Sequence, residues 1–113
     1  MKTYYKLGNE EVFLTNGIYM TTLNTSINAT CSNGEPYCTL TVNLNKLEDP
    51  SLAYLNVNLF GIDVEEFFVK NGLAVKVRGR EQQSGHVVYP LYRLNLNKIY
   101  EGSEKDELCV FSL

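Results

Sequence analysis

The residues of this chain that could support metal or covalent chemistry are three cysteines and one histidine. Cys31 and Cys38 are separated by six residues, which is wider than the usual spacing of a zinc ligand pair. His86 and Cys109 would complete a set of three cysteines and one histidine, but no two of the four have the spacing of a metal motif. We therefore predict no metal site, and we expect Cys38 and Cys109 to be small apolar residues of buried strands.

Catalysis by a cysteine would require a base within hydrogen-bond reach, and His86 is the only histidine in the sequence. His86 follows the turn residue Gly85, so we expect it to be exposed, and no activating group lies beside it in the sequence. The sequence thus predicts a protein that is not an enzyme and that holds no cofactor. A small enzyme using Cys31 or His86 remains an alternative.

Two groups of residues are candidates for binding a partner. Residues 101–107 carry the densest charge, and we predict that they form an acidic turn able to dock on a basic surface. Tyrosines on the polar side of a strand would add contact area at little cost in conformational entropy. The candidate partner-binding residues are Glu101, Glu104, Asp106, Glu107, Tyr54 and Tyr92. Lys76, Arg78 and Arg80 form a small basic face, which is typical of the solvated side of a strand and could also bind an acidic surface.

Charge and composition exclude several functions and suggest a compartment. The formal net charge is −3 and no basic run is present, whereas nucleic-acid binding depends on clustered lysines and arginines, so we expect no direct nucleic-acid contact. The same balance argues against an electrostatic membrane anchor. The N-terminal sequence contains no apolar segment of a signal peptide, and an odd number of cysteines fits a reducing compartment. We predict a cytoplasmic protein without a Cys31–Cys38 disulfide, folded as a single domain over residues 1–113.

Strand patterns separated by turn residues run along most of the chain. Gly8-Asn9-Glu10 predicts an opening hairpin, and Asn16-Gly17 predicts a second turn before a strand over residues 18–24. Residues 25–37 are polar and predict a loop. Residues 38–44 and 53–59 alternate apolar and polar side chains, which predicts two strands that each bury one face.

The second half of the chain predicts one helix and three further strands. Asp63 and Glu66 have the spacing of a capping box, and Asn71-Gly72 supplies a left-handed exit, so the pattern predicts a helix between them. Strands are expected over 73–80, with Val75 facing inward, over 87–96 and over 108–113. Pro90 lacks an N–H group, which predicts an edge strand or a bulge. The expected fold is α+β, a mostly antiparallel, twisted sheet of about six to seven strands with one short helix packed on one face.

One stretch of the sequence resembles a known family. Phe67-Phe68-Val69-Lys70-Asn71-Gly72-Leu73, followed by Ser84-Gly85-His86-Val87-Val88-Tyr89-Pro90-Leu91-Tyr92, is similar to short domains of unknown function from phages, plasmids and conjugative elements of Gram-positive bacteria. The resemblance covers roughly the last two-thirds of the chain. It implies no catalytic residues, and small acidic proteins of such elements include anti-CRISPR inhibitors.

The leading hypothesis is a non-enzymatic, protein-binding inhibitor encoded by a mobile element. By this hypothesis the domain counters host defence by docking on a nuclease such as a CRISPR effector, with no membrane involved. The alternative outside this class is an accessory protein of conjugation or replication that self-associates as a homodimer. Its interface would be a free strand edge near Pro90 or in the strand at residues 16–24.

Overall fold

Two β-sheets and two short helices make up the computed structural model, which describes residues 2–102 and 104–111, with side chains for residues 2–101. The strands are β1 (Tyr4–Leu7), β2 (Glu10–Tyr19), β3 (Thr25–Cys31), β4 (Pro36–Thr39), β5 (Thr41–Val42), β6 (Leu52–Leu55), β7 (Ala74–Ser84), β8 (Val87–Leu94) and β9 (Glu104–Phe111). Helix α1 (Val64–Lys70) lies between β6 and β7, and helix α2 (Leu96–Gly102) lies between β8 and β9.

The first sheet, sheet A, has the strand order β1-β2-β3-β4, and β9 pairs in parallel with the second half of β2. The opening hairpin is confirmed, because Gly8 takes a positive φ of 61° between β1 and β2. The turn predicted at Asn16-Gly17 is wrong, since both residues are buried inside β2. Gly17 pairs with Ser26 of β3 there.

The loop predicted over residues 25–37 is also wrong, because its first half is strand β3. Its first polar residues are buried, and the Thr25 hydroxyl donates to the Pro50 carbonyl oxygen at 2.6 Å, whereas the Ser26 hydroxyl has no hydrogen-bond partner among the described residues. Ile27 and Ala29 alternate with them and enter the core. A strand can therefore be built from small polar residues when neighbouring segments satisfy their hydrogen bonds.

The predicted strand over residues 38–44 is divided between the two sheets. Its first part belongs to β4 and pairs with β3 in sheet A, whereas β5 pairs with β6 in sheet B. Leu40, fully buried, lies between them, and its N–H group donates to the Ile27 carbonyl at 2.9 Å. The chain thus crosses from one sheet to the other at a single buried residue.

Sheet B has the order β5-β6-β8-β7, and all its pairs are antiparallel. Pro90 lies in β8, an interior strand, so the expected edge is wrong and the expected irregularity is confirmed. The register jumps on the β7 side from Val77, opposite Leu91, to Gln82, opposite Tyr89. Residues 78–81 therefore bulge where Pro90 supplies no N–H group.

Helix α1 is confirmed with its predicted boundaries. The Asp63 carboxylate accepts a hydrogen bond from the Glu66 N–H group at 3.0 Å. At the other end Gly72 has φ 67°, and the Leu73 N–H group donates to the Phe68 carbonyl at 2.8 Å, which is the pattern of a Schellman motif. Phe67 and Phe68 enter the main core between the sheets, as predicted.

The C-terminal part departs most from the prediction. Asn95 caps α2 by accepting from the Lys98 N–H group at 3.3 Å, and Ile99 fills the core with 1% exposure. The acidic turn expected over 101–107 is wrong, because residues 101–102 end α2 and residues 104–107 begin β9. The fold is therefore α+β and mostly antiparallel, with two sheets rather than one, a second helix, and more strands than the six to seven predicted.

Candidate protein-interaction site

Strand β7 is an open edge of sheet B. Among the described strands it pairs only with β8, and its other side carries no partner strand. The regular part of the strand before the bulge is Ala74–Val77. Within it the Val75 side chain is 72% exposed. The prediction that Val75 faces the core is wrong, because the register buries Ala74, its neighbour, on the core face.

The register also decides which backbone groups of β7 are free. The Asn95 N–H group donates to the Leu73 carbonyl at 2.7 Å, which makes these two residues a hydrogen-bonded pair. Bonded and non-bonded pairs alternate along an antiparallel ladder, so Val75 and Val77 bond to β8 next. The N–H and C=O groups of Ala74 and Lys76 then point away from the sheet. These groups are the donors and acceptors that a further strand would use.

An apolar groove of about 400 Å³ lies at the beginning of this edge. Its lining residues come from the end of α1, the start of β7 and the end of β8: Val69, Gly72, Ala74, Val75, Arg93, Leu94 and Asn95. Val69 is 56% exposed, because it lies on the side of α1 that does not pack against the core. Val69 falls outside the Val64, Phe67 and Phe68 stripe, and this was the signal in the sequence that could have located the groove.

A cluster of three polar side chains fastens α1 to the edge beside the groove. The Tyr92 hydroxyl donates to Glu65 Oε1 at 2.6 Å, and Lys76 Nζ lies 3.7 Å from the same oxygen. Burial and the bond to the Glu65 carboxylate raise the pKa of Tyr92 well above its ordinary value, so its hydroxyl stays a donor. The cluster holds the helix against the sheet and gives Lys76 one partly exposed ion-pair partner.

The three basic residues of the predicted basic face have different surroundings. Arg80 makes two hydrogen bonds to Glu48, with Nη1 2.6 Å from Oε2 and Nη2 3.1 Å from Oε1. Lys76 pairs with Glu65, whereas Arg78 is exposed and has no ion-pair partner among residues 2–101. Arg78 lies two residues beyond Lys76, at the start of the bulge, and supplies an uncompensated positive charge at the far end of the edge.

The predicted partner-binding residues do not gather at one place. Tyr54 and Tyr92 are 5% and 3% exposed, so the expectation that they lie on the solvated side of a strand is wrong. Strand β6 is buried on both faces, because Leu52 and Tyr54 pack in a second small core with Leu91. Glu101 is exposed in α2. Glu104, Asp106 and Glu107 lie in β9, where only the backbone is described.

The candidate nucleophiles are separated by the fold. Cys31 is half-buried at the end of β3 in sheet A, whereas His86 is exposed in the β7–β8 turn of sheet B. Desolvation and the nearby Glu10 carboxylate raise the pKa of the Cys31 thiol, which lowers the thiolate fraction needed for attack. Cys31 and Cys38 are both free thiols, and Cys38 packs against the main core. Cys109 lies in β9, outside the described side chains.

Comparisons with known proteins place the chain in a family of unknown function. Among the described residues, no group of three or more His, Cys, Asp or Glu side chains is close enough together to hold a metal ion. No helix in the same part of the chain is long and apolar enough to cross a membrane. No curated protein and no solved structure matches the chain. A family model, described as Domain of unknown function (DUF4313), matches residues 14–110, more of the chain than the resemblance covered. The chain belongs to this family.

Proposed function

We propose that this chain is a non-enzymatic, protein-binding domain that docks its partner at the open edge of β7. The observation that carries the proposal is the combination, along one short segment, of unpaired backbone groups, an apolar groove and an uncompensated positive charge. Strand addition uses these elements, since main-chain hydrogen bonds give affinity and adjacent pockets give specificity.

The partner we favour is a different protein rather than a second copy of this chain. Two β7 edges paired through Ala74 and Lys76 would place the two Lys76 side chains opposite each other or on a diagonal, within about 8 Å. Like charges at these positions oppose pairing, and the exposed Arg78 adds to the repulsion. The two edges named in the sequence analysis are also closed, because β8 and the second half of β2 have neighbours on both sides.

The more specific hypothesis, an inhibitor from a mobile element that docks on a defence nuclease, stays a prediction. Its support is the sequence resemblance and the acidic balance of the chain. It requires the partner of the β7 edge to be a CRISPR effector or another nuclease. A binding assay against purified effectors tests this identity, and protection of a phage or plasmid tests inhibition.

The experiment that tests the docking edge compares two matched variants. Val75→Lys places a charge beside the groove, whereas Val88→Lys makes the same change at a valine that is 53% exposed on β8, outside the groove. Partner capture from the native host should be lost with Val75→Lys and retained with Val88→Lys, and both variants should keep the wild-type thermal unfolding.

A proline variant tests the backbone contribution to docking, with Lys76→Ala as the control for loss of the Lys76 side chain. Lys76→Pro removes an N–H group that points away from β8, so the ladder within the sheet keeps its bonds while strand addition is blocked. If wild type, Val75→Lys and Lys76→Pro capture the same proteins in equal amounts, the β7 edge is not the docking site. Loss of activity in Cys31→Ala or His86→Ala with unchanged capture would favour an enzyme instead.

A further inference from the structure

We infer that the segment recognised by the β7 edge is an extended strand that carries an acidic residue four positions before an aliphatic one. This inference rests on the proposed function and specifies the chemistry of the partner. Three features of the edge determine it: the free backbone groups, the groove beside Ala74, and Arg78.

The backbone sets the spacing of the recognised residues. An added strand bonds to the free groups of Ala74 and Lys76, and it lies antiparallel because antiparallel pairing is the more stable per residue. The residue opposite Ala74 then has its side chain on the same face as Ala74, beside α1. The residue opposite Lys76 comes two positions earlier in the partner and shares that face. Arg78 directly follows the last regular pair, Val77 with Leu91, so the partner residue four positions earlier is the one nearest to it along the edge.

The groove selects an aliphatic side chain at the position opposite Ala74. On the Ala74 face the apolar lining consists of Val69, which is 56% exposed, with Leu94 and Gly72. A Leu, Ile or Val side chain placed there covers apolar surface on both molecules. Burying an aliphatic side chain of this size gives roughly tenfold or more in affinity over a polar one.

Charge selects the residue at the other end. Lys76 already has the Glu65 carboxylate 3.7 Å away, so a neutral residue suits the position opposite it. Arg78 has no ion-pair partner among the residues whose side chains are described, and a Glu or Asp four positions before the aliphatic residue would supply one. A neighbouring exposed pair of this kind contributes a few-fold in affinity.

Synthetic peptides test this specificity directly. The test peptide has roughly ten residues of high strand propensity, with Glu four positions before Leu. It is titrated to millimolar concentration into the whole chain labelled with nitrogen-15. We expect the amide signals of Ala74 and Lys76 to shift. Replacing Leu with Ser should weaken binding about tenfold, and replacing Glu with Lys should weaken it a few-fold.

Two controls make the outcome decisive. Arg78→Glu should prefer the Lys-containing peptide, since exchanging both charges restores the pair. A peptide with the two residues in reverse order, Leu before Glu, should bind more weakly than the test peptide to the wild-type chain.

Absence of shifts at Ala74 and Lys76, or equal binding of all the peptides, would overturn the inferred specificity. That result is distinct from failure of the proposed function, which is judged from partner capture by Val75→Lys and Lys76→Pro. If those variants lose the partner while the peptides show no preference, docking at β7 stands and the inferred segment is wrong.

Discussion

Asn24 is expected to be one of the most important polar residues for stability, although the sequence places it only at the end of a predicted strand over residues 18–24. Its side chain is 5% exposed. Nδ2 donates to the Asn45 carbonyl oxygen at 2.9 Å, and Oδ1 accepts from the Leu47 N–H group at 2.9 Å. These bonds attach the segment between β5 and β6 to the turn between β2 and β3, and this segment covers the second small core.

The cost of removing the Asn24 side chain follows from what each partner loses. Asn45 is exposed, so its carbonyl can bond to water, and losing that bond costs about 1 kcal/mol. Leu47 is 9% exposed, and its N–H group would be left buried without a partner, at about 1–3 kcal/mol. Asn24→Ala should therefore lower the free energy of unfolding by about 2–4 kcal/mol, a large part of the stability of a small domain.

Asn24→Asp separates the two bonds by their dependence on pH. The introduced carboxylate still accepts a hydrogen bond from the Leu47 N–H group. Its other oxygen takes the place of Nδ2, so it cannot donate to the Asn45 carbonyl, and the two oxygens repel each other. Burial beside that carbonyl raises the pKa of the introduced group in the folded state above its unfolded value of about 3.9. The destabilisation relative to wild type is then full at neutral pH and diminishes as the pH falls and the group becomes protonated.

Urea unfolding followed by circular dichroism, at pH 7 and near pH 4, measures both effects. Asn58→Ala is the control, because Asn58 is exposed and its side chain makes no hydrogen bond among the described residues, so the expected change is below about 0.5 kcal/mol. The reasoning is refuted if Asn24→Ala unfolds like this control. It is also refuted if the deficit of Asn24→Asp relative to wild type grows on acidification.

Three further predictions concern a cap, an ion pair and a thiol. Asp63→Ala should lower the free energy of unfolding by about 1 kcal/mol through loss of the α1 cap, whereas Asp63→Asn should lose less; equal losses would contradict the assigned cap. Hydrogen bonds from Arg80 lower the pKa of Glu48 to about 2, below its unfolded value of about 4.3. Their stabilisation is therefore present above pH 4.3 and is lost as the pH falls through about 2. Carboxyl NMR should show this low midpoint in wild type and a higher one in Arg80→Gln. Alkylation of Cys31 at neutral pH, mapped by mass spectrometry, should be slow and should accelerate in Glu10→Gln; an unchanged rate would show that Glu10 does not control this thiol.

Local chemistry explains which elements were predictable from the sequence. Helix α1 has a cap, an apolar stripe and a glycine exit within ten residues, and each signal acts through neighbours in the sequence. The β1–β2 hairpin likewise has its turn signal, Gly8 with a positive φ, between the two strands that it joins. Pro90 predicted an irregularity because a missing N–H group disturbs any ladder, whichever strand lies beside it.

The errors concern elements whose state is decided by distant partners. The polar residues of β3 and the turn signals Asn33-Gly34 and Pro36 that follow them predict a loop, whereas the partner that buries Thr25, the Pro50 carbonyl, is far away in the sequence. Tyr54 alternates with apolar residues, a pattern that predicts an exposed side chain. In the structure β6 is buried on both faces, so neither set of alternating side chains reaches the solvent. The groove and the open edge depend on the register between β7 and β8, because the register decides that the Val75 side chain is exposed and that the backbone groups of Ala74 and Lys76 are free. Register cannot be read from composition.

The parallel pairing of β2 with β9 has a consequence for how the chain folds. Every other strand neighbour is reached through a hairpin or a moderate connection, whereas Thr15 pairs with Glu104 across roughly 90 residues. On the side of β2 that β9 covers, the second half of the strand therefore has no neighbour until β9 has been synthesised. We expect β9 to join last, with a slow phase set by loop closure, and an unpaired β2 edge to be the point at which incomplete chains aggregate.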